Sequence, residues 1–101
     1  MSIYSIQQIR ELISPIATSY GVERMTLFGS YARGEATETS DVDFCVECGN
    51  IKDLFTLSGF VIDLEEVLKK KVDVVPKDKP RNELHRSILE KINREEVYVY
   101  G

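Results

Sequence analysis

The sequence predicts an α/β (α+β) domain, a single sheet covered by helices. Three observations carry this reading. Apolar residues recur at helical spacing in three stretches, short β-branched runs stand between them, and glycine, proline and polar residues mark the joints. The length of 101 residues suits one domain and not two, so residues 1–101 read as a single unit.

The first helix is expected over residues 5–20, where Ile6, Ile9, Ile13, Ile16, Ala17 and Tyr20 share a face. Ser5 and Gln8 have the spacing of a capping box, and Gly21 suits the position just past the last turn. Pro15 either kinks this helix or, with Ser14 as cap, restarts it. Residues 24–28 form a short strand that Gly29-Ser30 stops. Residues 31–40 read as a turn of helix plus loop, and residues 41–47 as a second strand broken by Gly49-Asn50. A long helix follows over residues 53–70, with Leu54, Leu57, Val61, Leu64 and Leu68 along one face and Gly59 as its weak point. A third strand spans residues 71–75 up to Pro76. A last helix is expected over residues 82–94, and residues 97–100 add a final extended segment.

Composition excludes several classes. Thirteen Lys and Arg against seventeen Asp and Glu leave a net charge of −4, so no general positive field draws nucleic acid to the chain. A 43% hydrophobic content is too high for a disordered chain. No apolar run nears the roughly 20 residues a membrane helix needs, and the N-terminus lacks the pattern of a signal peptide. With only Cys45 and Cys48 there is no disulfide framework, so a cytoplasmic location is expected. Their C-x2-C spacing invites a zinc reading, but strand alternation sends them to opposite faces and only His85 could join them. His85 reads as a surface or interface residue. Lys69-Lys70-Lys71 reads as a solvated helix end, and Tyr98 and Tyr100 as sheet packing or a partner surface.

The chemistry concentrates in Gly29-Ser30, ten residues, then Asp41-Val42-Asp43. Residues i and i+2 of a strand share a face, so Asp41 and Asp43 project together. Like charges side by side call for a cation between them, and hard cations take oxygen ligands. Asp73 sits inside the otherwise apolar Val72-Asp73-Val74-Val75 and completes a three-carboxylate cluster if its strand lies beside the second. Three acids can hold two metals for an in-line phosphoryl displacement. Gly29 lets the backbone approach a ligand, and the Ser30 hydroxyl can donate to a phosphate. Arg33, one helical turn on, can offer a bidentate fork to the same group.

Gly29-Ser30-Tyr31-Ala32-Arg33-Gly34 with Ser40-Asp41-Val42-Asp43 resembles the GS-x10-DxD signature of the polymerase β-type nucleotidyltransferases. Lys71-Val72-Asp73-Val74-Val75 resembles their third-acid strand. Over essentially its whole length the chain resembles the minimal MNT nucleotidyltransferases. The resemblance implies their fold, a small mixed sheet flanked by helices, and two Mg²⁺ ions with ATP as substrate. Asp41 and Asp43 would hold the metal on the triphosphate, and Asp41, Asp43 and Asp73 would share a second. Asp73 would be the general base or its positioner, and Gly29, Ser30 and Arg33 would hold the β- and γ-phosphates.

The resemblance also implies a role as antitoxin: AMP transfer from ATP to a tyrosine of a HEPN-domain ribonuclease toxin. Without a second domain to bind an acceptor, the acceptor is expected on a partner. Two other readings stand beside it. One is an antitoxin that neutralises by binding alone, and the other is a nucleotidyltransferase for a small hydroxylated molecule. No membrane or direct nucleic-acid partner is expected, and a homo-oligomer is left open.

Overall fold

A computed structural model describes residues 3–77, 87, 90 and 95–101. The helix predicted over residues 82–94, with His85, lies outside the described residues save Ser87 and Glu90. Helix α1 spans Ile6–Tyr20, strand β1 Arg24–Phe28, helix α2 Gly29–Arg33 and strand β2 Val42–Glu47. Helix α3 spans Leu54–Leu68, strand β3 Val72–Pro76 and strand β4 Val97–Tyr100.

Local sequence sets the ends of α1. The Ser5 side chain accepts from the Gln8 backbone N–H, and the Gln8 side chain accepts from the Ser5 backbone N–H. Gly21 closes the helix in the left-handed conformation, at φ 70°. Pro15 neither ends nor restarts the helix, which runs unbroken through it. The Ser14 hydroxyl donates to the Arg10 carbonyl at 2.6 Å, inside that continuous helix. Helix α3 is shorter than the predicted 53–70: Asp53 caps its start through the Thr56 N–H, and Lys69 turns left-handed at φ 57°, so Lys69 and Lys70 lie beyond it.

The sheet order is β3-β2-β1-β4. Strands β1 and β2 are antiparallel, as are β1 and β4, while β2 and β3 are parallel and joined by the α3 crossover. The sheet is therefore mixed, as the family resemblance implies. Residues 97–100, expected as a final extended segment, form its β4 edge.

Strand alternation divides the sheet into two faces. Met25, Leu27, Val42, Phe44 and Val46 join Ile9, Ile13 and Ala17 of α1 and Phe60, Leu64 and Leu68 of α3 in one core. Cys48 belongs to this core, whereas Cys45 packs with Phe28 and Val75 on the other face. The buried stripe of α3 differs from the predicted one. It runs through Phe60, Leu64 and Leu68, while Leu54 is 63% exposed. From Leu54 to Ile62 the helix has no charged residue, so periodicity alone does not single out the sheet-facing side. Gly59 has a packing reason: a side chain there would press on the Tyr20 hydroxyl, which donates to Asp63 at 2.7 Å. Among the described residues no helix is long and apolar enough to cross a membrane.

Candidate active site

Helices α1 and α3 pack on one sheet face, and strand alternation puts Asp43 and Asp73 on the other. The β1–α2 junction lies beside them, because Phe28 at the end of β1 pairs with Asp43. Phe28 is extended and caps α2 without a side-chain hydrogen bond. Gly29 then takes φ 72°, a conformation that L side chains rarely adopt. A Cβ at Gly29 would also run into the Asp43 carboxylate. Glycine is thus required twice, once for backbone shape and once to keep the space over Asp43 clear. Helix α2 begins at Gly29, so Ser30 lies within its first turn and Arg33 is its last residue. Gly34, at φ 73°, ends it by donating to the Ser30 and Tyr31 carbonyls.

The parallel pairing of β2 and β3 sets Asp43 directly opposite Asp73. Asp43 is half-buried, while Asp41, one residue before β2, and Asp73 are exposed. Burial pushes the Asp43 carboxyl up to about 6, helped by the charge and hydrogen bond of Asp73 and by the charge of Asp41. The Arg33 guanidinium pulls the other way, so it lies within electrostatic reach. All three predicted acids therefore act on one spot. The predicted phosphate-side residues Gly29 and Arg33 border it.

Does this set suit a divalent cation? Among the described residues no three His, Cys, Asp or Glu side chains are arranged to hold a metal ion as they stand. The donor chemistry nonetheless fits Mg²⁺. It is all oxygen, it carries two facing carboxylates, and its central member resists ionisation through burial and the charge of its acidic neighbours. A cation at Asp43 would offset both the burial and the repulsion that raise its carboxyl.

Arg33 is more constrained than its sequence position suggests. Its Nε donates to Glu35 Oε1 at 2.7 Å, and its Nη1 lies 3.4 Å from both carboxylate oxygens of Glu95. These partners hold the guanidinium's pKa above its ordinary value, Glu35 foremost. Sequence reasoning missed both glutamates. Glu35 was legible as a counter-ion two residues away. Glu95 was not, because 62 residues separate it from Arg33.

Residues 8–101 match the Nucleotidyltransferase domain family, and the chain belongs to it. Fold and family together define a nucleotidyltransferase.

Its relatives narrow the class. It is 43% identical to "Putative protein adenylyltransferase MJ0435" of Methanocaldococcus jannaschii, over 94% of this chain and 98% of that one. It is 32% identical to protein adenylyltransferase MntA of Thermococcus cleftensis, over 98% of this chain and all of that one. Among solved structures it resembles a toxin–antitoxin crystallised with AMP-PNP, with a TM-score of 0.77. That match has 19% identity and covers 91% of this chain and 73% of the other.

Proposed function

We propose that this protein transfers AMP from ATP to a tyrosine hydroxyl of a cognate HEPN ribonuclease toxin and so acts as its antitoxin in the cytoplasm. The observation that carries the chemistry is the Asp43–Asp73 pair, set side by side by parallel strands next to the Gly29 turn. The relatives named protein adenylyltransferases, and the toxin–antitoxin fold neighbour, support a protein acceptor.

Asp41 and Asp43 would hold a Mg²⁺ ion with the triphosphate, and Asp41, Asp43 and Asp73 would share a second. Bound Mg²⁺ supplies charge neutralisation and Lewis acidity. Gly29 admits the phosphates close to the backbone, the Ser30 hydroxyl donates to them, and Arg33 takes the β- and γ-phosphates. Asp73, itself exposed, receives or steers the proton of the incoming hydroxyl. A new bond joins the acceptor oxygen to the α-phosphorus, the α–β bridge breaks, and pyrophosphate leaves.

The test is the intact mass of the partner toxin after co-expression. It should rise by one or more AMP residues, and peptide mapping should place them on tyrosine. A partner that stays unmodified at saturating ATP and Mg²⁺ contradicts the proposal.

A further inference from the structure

We propose that Glu95 is the exchangeable counter-ion of Arg33: it positions the guanidinium beside Asp43 until the terminal phosphates of a nucleotide displace it. This rests on the reading that the site takes a nucleoside triphosphate.

The two carboxylates that hold Arg33 are not equivalent. Glu35 belongs to the same loop and accepts a short bond, 2.7 Å, from Nε. Glu95 comes from the far end of the chain and stands 3.4 Å from Nη1 through both oxygens. The longer contact is the one to yield. A guanidinium carries five N–H donors in a flat fork. Its contacts to Glu35 and Glu95 occupy Nε and Nη1, so neither glutamate engages Nη2.

Exchange costs little at Glu95. Its side chain is 37% exposed, and exposed pairs of this kind contribute little. Nor does the backbone depend on the contact. The neighbouring Glu96 accepts from Thr26 Oγ1 at 2.9 Å and pairs with Lys77 at 3.3 Å, both part-buried. Arg10 further secures β4 through the Tyr98 carbonyl. Glu96 fixes the start of β4 to the sheet, which leaves Glu95 free to let go of Arg33 without disturbing the strand.

The experiment is calorimetric titration of the full chain with a non-hydrolysable ATP analogue, and separately with AMP, in Mg²⁺. The proteins are wild type, Glu95→Gln, Arg33→Gln and the double variant, each first checked for native circular dichroism. Glu95→Gln should bind the triphosphate about two- to fivefold tighter, as the loss of an exposed competing pair predicts. AMP, which lacks the β- and γ-phosphates, should bind as to wild type. The gain should vanish in the Arg33→Gln background.

An unchanged or weaker triphosphate affinity in Glu95→Gln overturns the proposal. So does a gain that persists without Arg33, since that would be general charge repulsion. If wild type binds the analogue and Glu95→Gln changes nothing, this proposal alone fails. If wild type binds no triphosphate, the functional reading fails and this proposal with it.

Discussion

Replacing Asp43 with Asn should stabilise the protein near neutral pH while silencing it. Folding raises the Asp43 carboxyl from its ordinary 3.8 to about 6, chiefly by burial and by the Asp73 charge. The folded state therefore resists ionisation more than the unfolded one. Well below pH 3.8 both states hold the proton, and there is no penalty. Between pH 4 and 6 the unfolded chain ionises first, and stability falls as pH rises. Above pH 6 the penalty is constant.

Fully expressed, that difference would amount to about 3 kcal/mol. Asp43 is only half-buried, and solvent screening reduces it to about 1–2 kcal/mol. For a domain of this size, this is on the order of 5–10 °C in Tm. The assay is thermal unfolding of wild type and Asp43→Asn, without divalent metal, from pH 4 to pH 8. The gap should be smallest at pH 4 and widen as pH rises, with the variant the more stable. A variant less stable than wild type at pH 8, or a gap independent of pH, would refute the assignment of Asp43 as a repelled carboxylate.

Other predictions follow from the same geometry. Adding Mg²⁺ at pH 8 should raise the Tm of wild type and leave Asp43→Asn nearly unmoved, which a thermal-shift titration would read. Gly29→Ala should cost about 1–3 kcal/mol of stability from its positive φ and displace the Asp43 carboxylate, so transferase activity should fall further than Tm alone explains. Ser5→Ala, which breaks the cap of α1 far from the acids, should cost about 1 kcal/mol in chemical denaturation and leave kcat unchanged. Leu64→Ala in the core should cost about 2–5 kcal/mol by the same measurement.

Much of this was legible in the sequence where the cause is local. The Ser5–Gln8 cap, the Gly21 stop and the alternation of β2 depend on a few neighbouring residues, and each lies where the sequence puts it. The spacing of Gly29-Ser30 and Asp41-Val42-Asp43 marked the site region because strand ends and i, i+2 alternation are local rules. What the sequence left open is set by tertiary contact. Nothing in Val72-Asp73-Val74 says which strand lies beside it, and the register that sets Asp73 against Asp43 arises only when α3 packs. The buried face of α3 was ambiguous because the first half of that helix has no charged residue to mark a solvent side. Pro15 could have restarted α1, but the helix packs its Ile9, Ile13 and Ala17 face as one unit. Glu95 reaches Arg33 only because β4 returns to the edge beside β1.

The central claim is that the Asp43–Asp73 face moves a nucleotidyl group from a nucleoside triphosphate to a protein. The most direct measurement is label transfer to the partner toxin from ATP carrying ³²P at either the α- or the γ-phosphate. Wild type should label the partner from α-labelled ATP and not from γ-labelled ATP, and Asp43→Asn and Asp73→Asn should label it from neither. Label arriving from the γ-phosphate, or α-label undiminished in both variants, would contradict the account.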